Sequence, residues 1–187
     1  MLENAMEENM VRDTVLILGA NGRLGRTLVD AFAAAGWTVL AQARRPLAGT
    51  VAHNVRGLAI DVADTAQLLA AARGAGVVVN ALNPVYTEWE QHAEALARCG
   101  MELAQALDAL LLYPGNVYNF GESMPPLLRP DTAEQPSARK GEIRRAIEAG
   151  LRERAPGLRS VILRAGDFFG VQIVDAYFCE TIWYSKT

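Results

Sequence analysis

Short apolar runs alternate with helix-favouring segments along the whole chain. The first run, Val15-Leu16-Ile17-Leu18, is aliphatic throughout, which is typical of a strand covered on both faces in a parallel sheet. Because strands and helices alternate, the pattern predicts a doubly wound parallel α/β domain. The predicted strands are 15–18, Trp37–Ala41, Val55–Ile60, Val77–Leu82, Leu110–Tyr113 and Ser160–Arg164, and the predicted helices are Arg23–Ala35, Asp64–Arg73, the long segment Thr87–Leu112 and the run 137–154.

Glycine recurs at every third position directly after the first strand, as Gly19, Gly22 and Gly25. Gly19 lets the chain turn sharply, Gly22 lets backbone N–H groups approach a phosphate, and Gly25 lets the following helix pack closely on the strand. That helix points its positive end at the phosphate, and Arg23 and Arg26 add cationic side chains beside it. The pattern predicts dinucleotide binding; the alternative is a turn that only connects strand to helix.

The segment Gly19-Ala20-Asn21-Gly22-Arg23-Leu24-Gly25 resembles the G-x-x-G-x-x-G fingerprint of the short-chain dehydrogenase/reductase superfamily, in particular its extended and atypical branches. Those branches include nucleotide-sugar epimerases and dehydratases, and NAD(P)H-binding proteins without known chemistry. The resemblance runs from Thr14 to about Gly170 and implies a Rossmann fold. The cofactor contacts that it implies in this turn are Gly19, Asn21, Gly22, Arg23, Leu24 and Gly25.

The end of the second strand predicts which dinucleotide is bound. An NAD site usually has an acid there for the ribose 2′-hydroxyl, but this chain has Gln42, Ala43, Arg44 and Arg45. Two guanidinium groups suit a 2′-phosphate, so NADP is favoured and NAD is the alternative. The arginines could equally lie in a solvated loop before Pro46.

Two further strand ends carry predicted cofactor contacts. By the resemblance, Asp61 and Val62 lie against the adenine, although Asp61 could equally cap the next helix, since Asp64 and Thr65 crowd the same turn. The fourth strand ends in an Asn-Ala pair that resembles the superfamily turn bordering the cofactor ribose. The cofactor contacts that this resemblance implies are Asn80, Ala81 and Leu82.

The catalytic motifs of the superfamily are altered in this chain. Pro114 stands at the position of the usual serine and Pro136 at that of the Y-x-x-x-K tyrosine, while Lys140 matches the lysine. The candidate catalytic residues are therefore Tyr118 as proton donor, Lys140 as its cationic neighbour and ribose contact, and Asn116 as a hydrogen-bond partner for a substrate carbonyl. The alternatives are a packing aromatic at Tyr118 and a solvated lysine.

Composition narrows the partners. The 187 residues carry 18 basic and 21 acidic side chains, a net charge of −3, so no basic excess favours nucleic acid. No run long and apolar enough to span a membrane occurs, and the two cysteines, Cys99 and Cys179, have no metal-ligand spacing. We interpret both as free thiols and expect a cytoplasmic protein without a metal.

The sequence predicts a loose leader at 1–13, a dinucleotide-binding domain at 14–170 and a short tail at 171–187, which has no room for the substrate lobe of extended members. The resemblance implies a small-molecule substrate, a nucleotide sugar or carbonyl compound, and a homodimer formed through segments 87–112 and 137–154. The predicted function is an NADP-dependent oxidoreductase or a nucleotide-sugar epimerase/dehydratase relative. A redox sensor that binds NADP(H) without turnover, or a truncated enzyme that binds cofactor only, are the alternatives.

Overall fold

A computed structural model of the chain describes residues 13–47, 49 and 51–166. Within them, six strands form one parallel sheet in the order β3-β2-β1-β4-β5-β6. This is the order of the doubly wound dinucleotide-binding fold, so the predicted fold class is confirmed. The strands are β1 (Thr14–Leu18), β2 (Thr38–Ala43), β3 (Val55–Ala59), β4 (Val77–Asn80), β5 (Leu110–Asn116) and β6 (Ser160–Ala165).

The helices connect these strands. They are α1 (Arg23–Ala34), α2 (Thr65–Ala71), α3 (Trp89–Ala106) and α4 (Arg139–Glu153), with short 3₁₀ turns at Tyr86–Glu88 and Tyr118–Phe120. All four were predicted from the sequence, α1 and α3 from the pattern of their apolar residues and α2 from its content of Ala and Leu. Helix α3 ends well before Leu112, because Asp108 adopts a positive φ of 50° that stops the helix ahead of β5.

Apolar side chains alternate between the two faces of the sheet. Val15 and Ile17 of β1 point to the face covered by α1, whose Val29 is buried there. Leu16 and Leu18 point to the opposite face, where they join Leu68 of α2 and residues of α3 and α4. Both faces of β1 are therefore covered, which explains why its residues 15–18 are all aliphatic, as predicted.

The boundary between β1 and β4 is where the strand order reverses direction. β1 pairs with β2 on one side and with β4 on the other. The carboxyl ends of the strands lie at one edge of the sheet, and ligands of such folds bind in the crevice at this reversal. The glycine turn follows β1 and the Asn-Ala pair follows β4, so both lie at that point.

Strand β5 is longer than predicted, extending beyond Tyr113 through Pro114 to Asn116. β4 pairs with β5 only as far as Leu112, whereas Pro114 lies opposite Leu163 of β6. Pro114 therefore has a neighbouring strand on one side only, which limits the ladder bonds that its missing N–H can break. As a result, β5 carries the segment towards Tyr118 further along the sheet edge than the sequence indicated.

Several predicted features lie outside the described residues, namely most of the leader, the tail 171–187, Cys179 and the turn at 167–170. None of the helices that the structure describes is long and apolar enough to cross a membrane.

Candidate dinucleotide-binding site

Two glycines of the turn are required by close backbone packing. Gly19 has a positive φ of 77°, and a Cβ there would lie 3.0 Å from the carbonyl oxygen of Ala81, at the end of β4. A Cβ on Gly25 would overlap the carbonyl group of Gly19 and lie 3.0 Å from the Cα of Ala20. These contacts hold α1 against the end of β1, as the spacing predicted.

Gly22 has a different role from the other two glycines. It is exposed and starts α1 with an extended backbone, at φ −73° and ψ 161°. Its N–H donates to the carbonyl oxygen of Gly19 at 2.9 Å, and within the described residues no side chain caps α1. An uncapped helix start beside an exposed glycine is the geometry that accepts a phosphate group.

Asn21 ties the glycine turn to the loop that carries the two arginines. Its side-chain amide donates to the carbonyl oxygens of Arg45 at 3.1 Å and Pro46 at 3.3 Å. The side chains of Arg44 and Arg45 are exposed. The structure therefore places two guanidinium groups on a loop fastened to the predicted pyrophosphate turn.

A residue of this region that the sequence interpretation passed over is Gln42. It is only 1% exposed, and its side chain bonds to the N–H of Gly19 and the carbonyl oxygen of Ile60 rather than facing a ligand. The sequence shows a polar residue directly after the predicted strand Trp37–Ala41, and the structure extends β2 past it to Ala43.

The two roles left open for Asp61 are separated by the structure. Asp64 caps α2, because its carboxylate accepts the N–H of Gln67 at 3.1 Å. The carboxylate of Asp61 instead accepts the N–H of Ala63 at 3.0 Å and remains exposed, next to the half-buried Val62. Asp61 is thus not the cap, and the pair Asp61-Val62 lies just beyond β3 on the predicted adenine side.

Asn80 braces the end of β4 from inside. Its side chain is 3% exposed, donates to the carbonyl oxygen of Leu96 in α3 at 3.1 Å and accepts the N–H of Leu82 at 3.2 Å. Gly100 makes room for it, since a Cβ there would overlap the amide. Asn80 thereby positions the backbone of Ala81 and Leu82 against the glycine turn.

The candidate catalytic residues meet at the carboxyl ends of β4 and β5. The hydroxyl groups of Tyr118 and Tyr86 are 3.2 Å apart, and the ammonium of Lys140 lies 2.7 Å from the centre of the Tyr86 ring. Tyr86 and Tyr118 are 49% and 38% exposed and both pack against the buried Trp89. The sequence interpretation missed Tyr86, because nothing local to 86 shows that it meets a residue 32 positions away.

Burial and neighbouring groups shift the pKa values of Tyr86 and Lys140. Burial, together with hydrogen bonding and charge interaction with Tyr118, raises the pKa of Tyr86 to about 12. Tyr86 is therefore protonated at neutral pH and able to donate. Desolvation lowers the pKa of Lys140 from its ordinary value.

Asn116 and Pro136 lie beside the turn that carries Tyr118. The side-chain oxygen of Asn116 accepts the N–H of Tyr118 at 3.1 Å. The carbonyl oxygen of Tyr118 and the ring of Pro136 pack so closely on Gly141 that a Cβ there would overlap both. The start of α4, including Lys140, is thus seated directly on the turn that carries Tyr118.

The loop before α4 is fixed to β6 by ion pairs. Glu134 pairs with Arg164 at 3.0 Å, and Arg164 also pairs with the fully buried Glu148 of α4 at 2.5 Å. Hydrogen bonding to Glu148 raises the pKa of Arg164. These bonds hold the segment that leads to Pro136.

Comparison with known proteins places this geometry in a family. The model of the NmrA-like family matches residues 11–110, from the start of β1 to the start of β5, which is more than half of the chain. The chain belongs to the NmrA-like family. No curated protein matches it significantly.

Solved structures of two sugar-nucleotide epimerases and of MoeE5 share the fold of this chain at low sequence identity. UDP-N-acetylglucosamine 4-epimerase from Bacillus cereus has a TM-score of 0.68 and 16% identity, over 85% of this chain and 55% of that one. UDP-glucose 4-epimerase from Brucella ovis in complex with NAD has a TM-score of 0.65 and 19% identity, over 81% and 51%. MoeE5 in complex with UDP-glucose and NAD has a TM-score of 0.62 and 22% identity, over 80% and 52%. The NmrA-like chain thus spans about half the length of these proteins.

Proposed function

We propose that this NmrA-like chain binds NADP(H) and belongs to an oxidoreductase or a relative of nucleotide-sugar epimerases and dehydratases. The observation that carries the proposal is the uncapped start of α1 at the exposed Gly22, with Arg44 and Arg45 fastened beside it. A pyrophosphate fits the helix start, and a 2′-phosphate fits the two guanidinium groups. Two of the similar structures contain NAD, which supports a nicotinamide dinucleotide as the ligand class.

The remaining cofactor contacts follow from the same edge of the sheet. Asp61 and Val62 would border the adenine. The backbone of Ala81 and Leu82 would border the cofactor ribose on the side that faces the glycine turn. Lys140 would contact the nicotinamide ribose. When bound, the nicotinamide supplies or accepts a hydride.

The substrate side of the proposal rests on Tyr118. Its exposed hydroxyl would donate a proton to a carbonyl or sugar oxygen, and the hydrogen bond from the Tyr86 hydroxyl would stabilise the phenolate left on Tyr118. Asn116 would donate a hydrogen bond from its side-chain amide to a substrate carbonyl, while its side-chain oxygen accepts the N–H of Tyr118. UDP-glucose in MoeE5 makes a nucleotide sugar one substrate class to test, and carbonyl compounds are the other.

A second candidate function is dinucleotide binding without turnover. It is favoured by Pro114 and Pro136, which offer no hydroxyl at the two positions where the superfamily carries its serine and tyrosine. Such a protein would report the NADP(H) ratio to a partner.

The homodimer through α3 and α4 also stays a prediction, which analytical ultracentrifugation checks.

Calorimetric titration with NADPH and then NADH at matched salt tests the proposal. We expect NADPH to bind more tightly than NADH. Binding of neither would overturn it. If NADPH binds, two assays separate the enzyme from the sensor: hydride transfer from NADPH to a panel of aldehydes and ketones, and conversion of UDP-glucose in the presence of NADP⁺. A sensor would bind the cofactor without oxidising or reducing it.

A further inference from the structure

Gln42 is one of the few fully buried polar side chains among the described residues, and both ends of its amide are used. Its Oε1 accepts the N–H of Gly19 at 3.0 Å, and its Nε2 donates to the carbonyl oxygen of Ile60 at 2.7 Å. Its own backbone carbonyl accepts the N–H of Ala20 at 2.8 Å. One residue of β2 therefore holds two successive peptide groups of the glycine turn and the end of β3.

These three partners belong to different parts of the proposed cofactor site. Gly19 opens the turn predicted to hold the pyrophosphate, whereas Ile60 directly precedes Asp61 and Val62 on the predicted adenine side. Residue 42 lies between them on β2, two positions before Arg44. The side-chain amide of Gln42 thus links the glycine turn to the residue before Asp61, the two parts of the site that are proposed to hold the adenosine half of the dinucleotide.

We propose that Gln42 is a positioning residue that fixes the glycine turn relative to the adenine side of the site, and so sets the affinity for the adenosine diphosphate half of the dinucleotide. This rests on the proposed function. Gln42 does not contact the ligand itself; it acts through the peptide of Gly19 and the carbonyl of Ile60.

Packing alone does not require an amide at this position. β2 is otherwise apolar at its buried centre, with Val39, Leu40 and Ala41, and an aliphatic side chain would fill the same space. An aliphatic side chain would, however, leave the N–H of Gly19 without its side-chain acceptor and the carbonyl of Ile60 without its side-chain donor. Buried polar groups left without partners favour movement of the backbone that carries them. In this case that backbone is the phosphate-binding turn.

The substitution Gln42→Met keeps the length of the side chain and removes both hydrogen bonds. We expect the dissociation constants of NADPH and of the fragment probe adenosine 2′,5′-bisphosphate to rise by roughly tenfold or more, in line with the loss of one to two hydrogen bonds' worth of positioning. The amide of Gly19 should exchange with solvent deuterium at least about tenfold faster in the absence of any ligand.

The matched control is Leu151→Ala, which removes a buried side chain of α4 away from the turn. If affinity merely followed stability, this variant would weaken NADPH binding as much as Gln42→Met does; we expect unchanged affinity. Gln42→Asn provides a second test should the methionine variant fold poorly, because its shorter amide cannot reach both partners. We expect it to weaken binding too.

The two readouts separate this proposal from the proposed function. Unchanged affinity in both Gln42 variants, or an unchanged exchange rate of the Gly19 amide, would overturn the positioning role. If the wild-type chain binds no dinucleotide, the proposed function fails and with it the effect on affinity, whereas faster exchange at Gly19 would still show that Gln42 fixes the turn.

Discussion

The two halves of the carboxyl edge of the sheet are built in different ways. Around β1 and β2, the site consists mainly of backbone, with Gly19 and Gly25 packed against their neighbours and an uncapped helix start at Gly22. Around β4 and β5, it consists of side chains from separate elements, where Tyr86, Tyr118 and Lys140 converge. The first half has the three glycines of the turn, whereas the second has prolines at 114 and 136.

This difference shows which property is constrained by a local motif. A backbone turn that holds a phosphate depends on consecutive residues, so its glycines must occur together. A proton donor can come from any element that reaches the substrate. Residue 136 is a proline, so the hydroxyl groups of Tyr86 and Tyr118 are the candidates for this role. Substitutions around β1 and β2 test whether the first half binds a dinucleotide. A substitution at Tyr118 tests whether the hydroxyl groups of Tyr118 and Tyr86 influence each other.

The largest effect is expected from Gly25→Ala. The added Cβ would overlap the carbonyl of Gly19, a backbone group that cannot move without displacing α1 from β1. We expect a loss of about 1–3 kcal/mol in the free energy of unfolding, as for other overpacked cores, measured by urea denaturation.

Gly150→Ala is the control for that experiment. It lies on α4, where a Cβ would meet only the side chain of Arg154 at 3.7 Å, so its stability should stay the same or rise by up to about 1 kcal/mol. Equal stability of the Gly25 and Gly150 variants would contradict the close packing of α1 on the end of β1.

Gly22→Val should abolish NADPH binding while leaving most of the stability intact. Gly22 has no positive φ, and its Cβ would approach only the carbonyl oxygen of Gly19, at 3.2 Å. The valine side chain would occupy the space in front of the helix start, so we expect a loss of about a hundredfold or more in affinity by calorimetry. Retained affinity would show that the phosphate does not lie at this glycine.

The fold and the turn could be predicted because their signals are local. The aliphatic run before Gly19 and the spacing of three glycines are visible within a dozen residues. The roles of Asn80 and Gln42 could not be predicted, since each side chain bonds to a segment at least 16 positions away. Each instead supports the backbone that was predicted to border the ligand.

The half around β4 and β5 was predicted only in part for the same reason. Tyr118 and Lys140 were singled out from motif positions, and the structure brings both into contact with Tyr86; their catalytic role stays a prediction. The hydroxyl partner of Tyr118 comes from a 3₁₀ turn after β4, and only the pairing of β4 with β5 brings it there. The longer course of β5 past Pro114 was likewise set by the partner strand rather than by local sequence.

Replacing both Arg44 and Arg45 by alanine should change selectivity more than fold. Both side chains are exposed, so stability should change little. We expect NADPH affinity to fall about tenfold to a hundredfold and NADH affinity to fall less than about twofold, measured by calorimetry at matched salt, because only NADPH carries the 2′-phosphate. Arg145→Ala, at an exposed arginine on α4, is the control for loss of a surface charge away from the site, and equal losses for the two cofactors in the double variant would remove the 2′-phosphate assignment.

The smallest effect tests the tyrosine pair itself. Burial raises the pKa of Tyr86 to about 12, with smaller contributions in the same direction from the hydrogen bond to Tyr118 and the charge of that residue. Tyr118→Phe removes the last two causes and leaves burial, so the pKa of Tyr86 should fall below 12 and stay above the ordinary value near 10. NMR of chain labelled with ¹³C at the tyrosine Cζ follows the titration directly, and Leu151→Ala, which leaves both hydroxyls in place, is the control. A Tyr86 titration that is the same with and without the Tyr118 hydroxyl would mean that the two groups are not coupled, and it would remove the interaction by which Tyr86 is proposed to assist Tyr118.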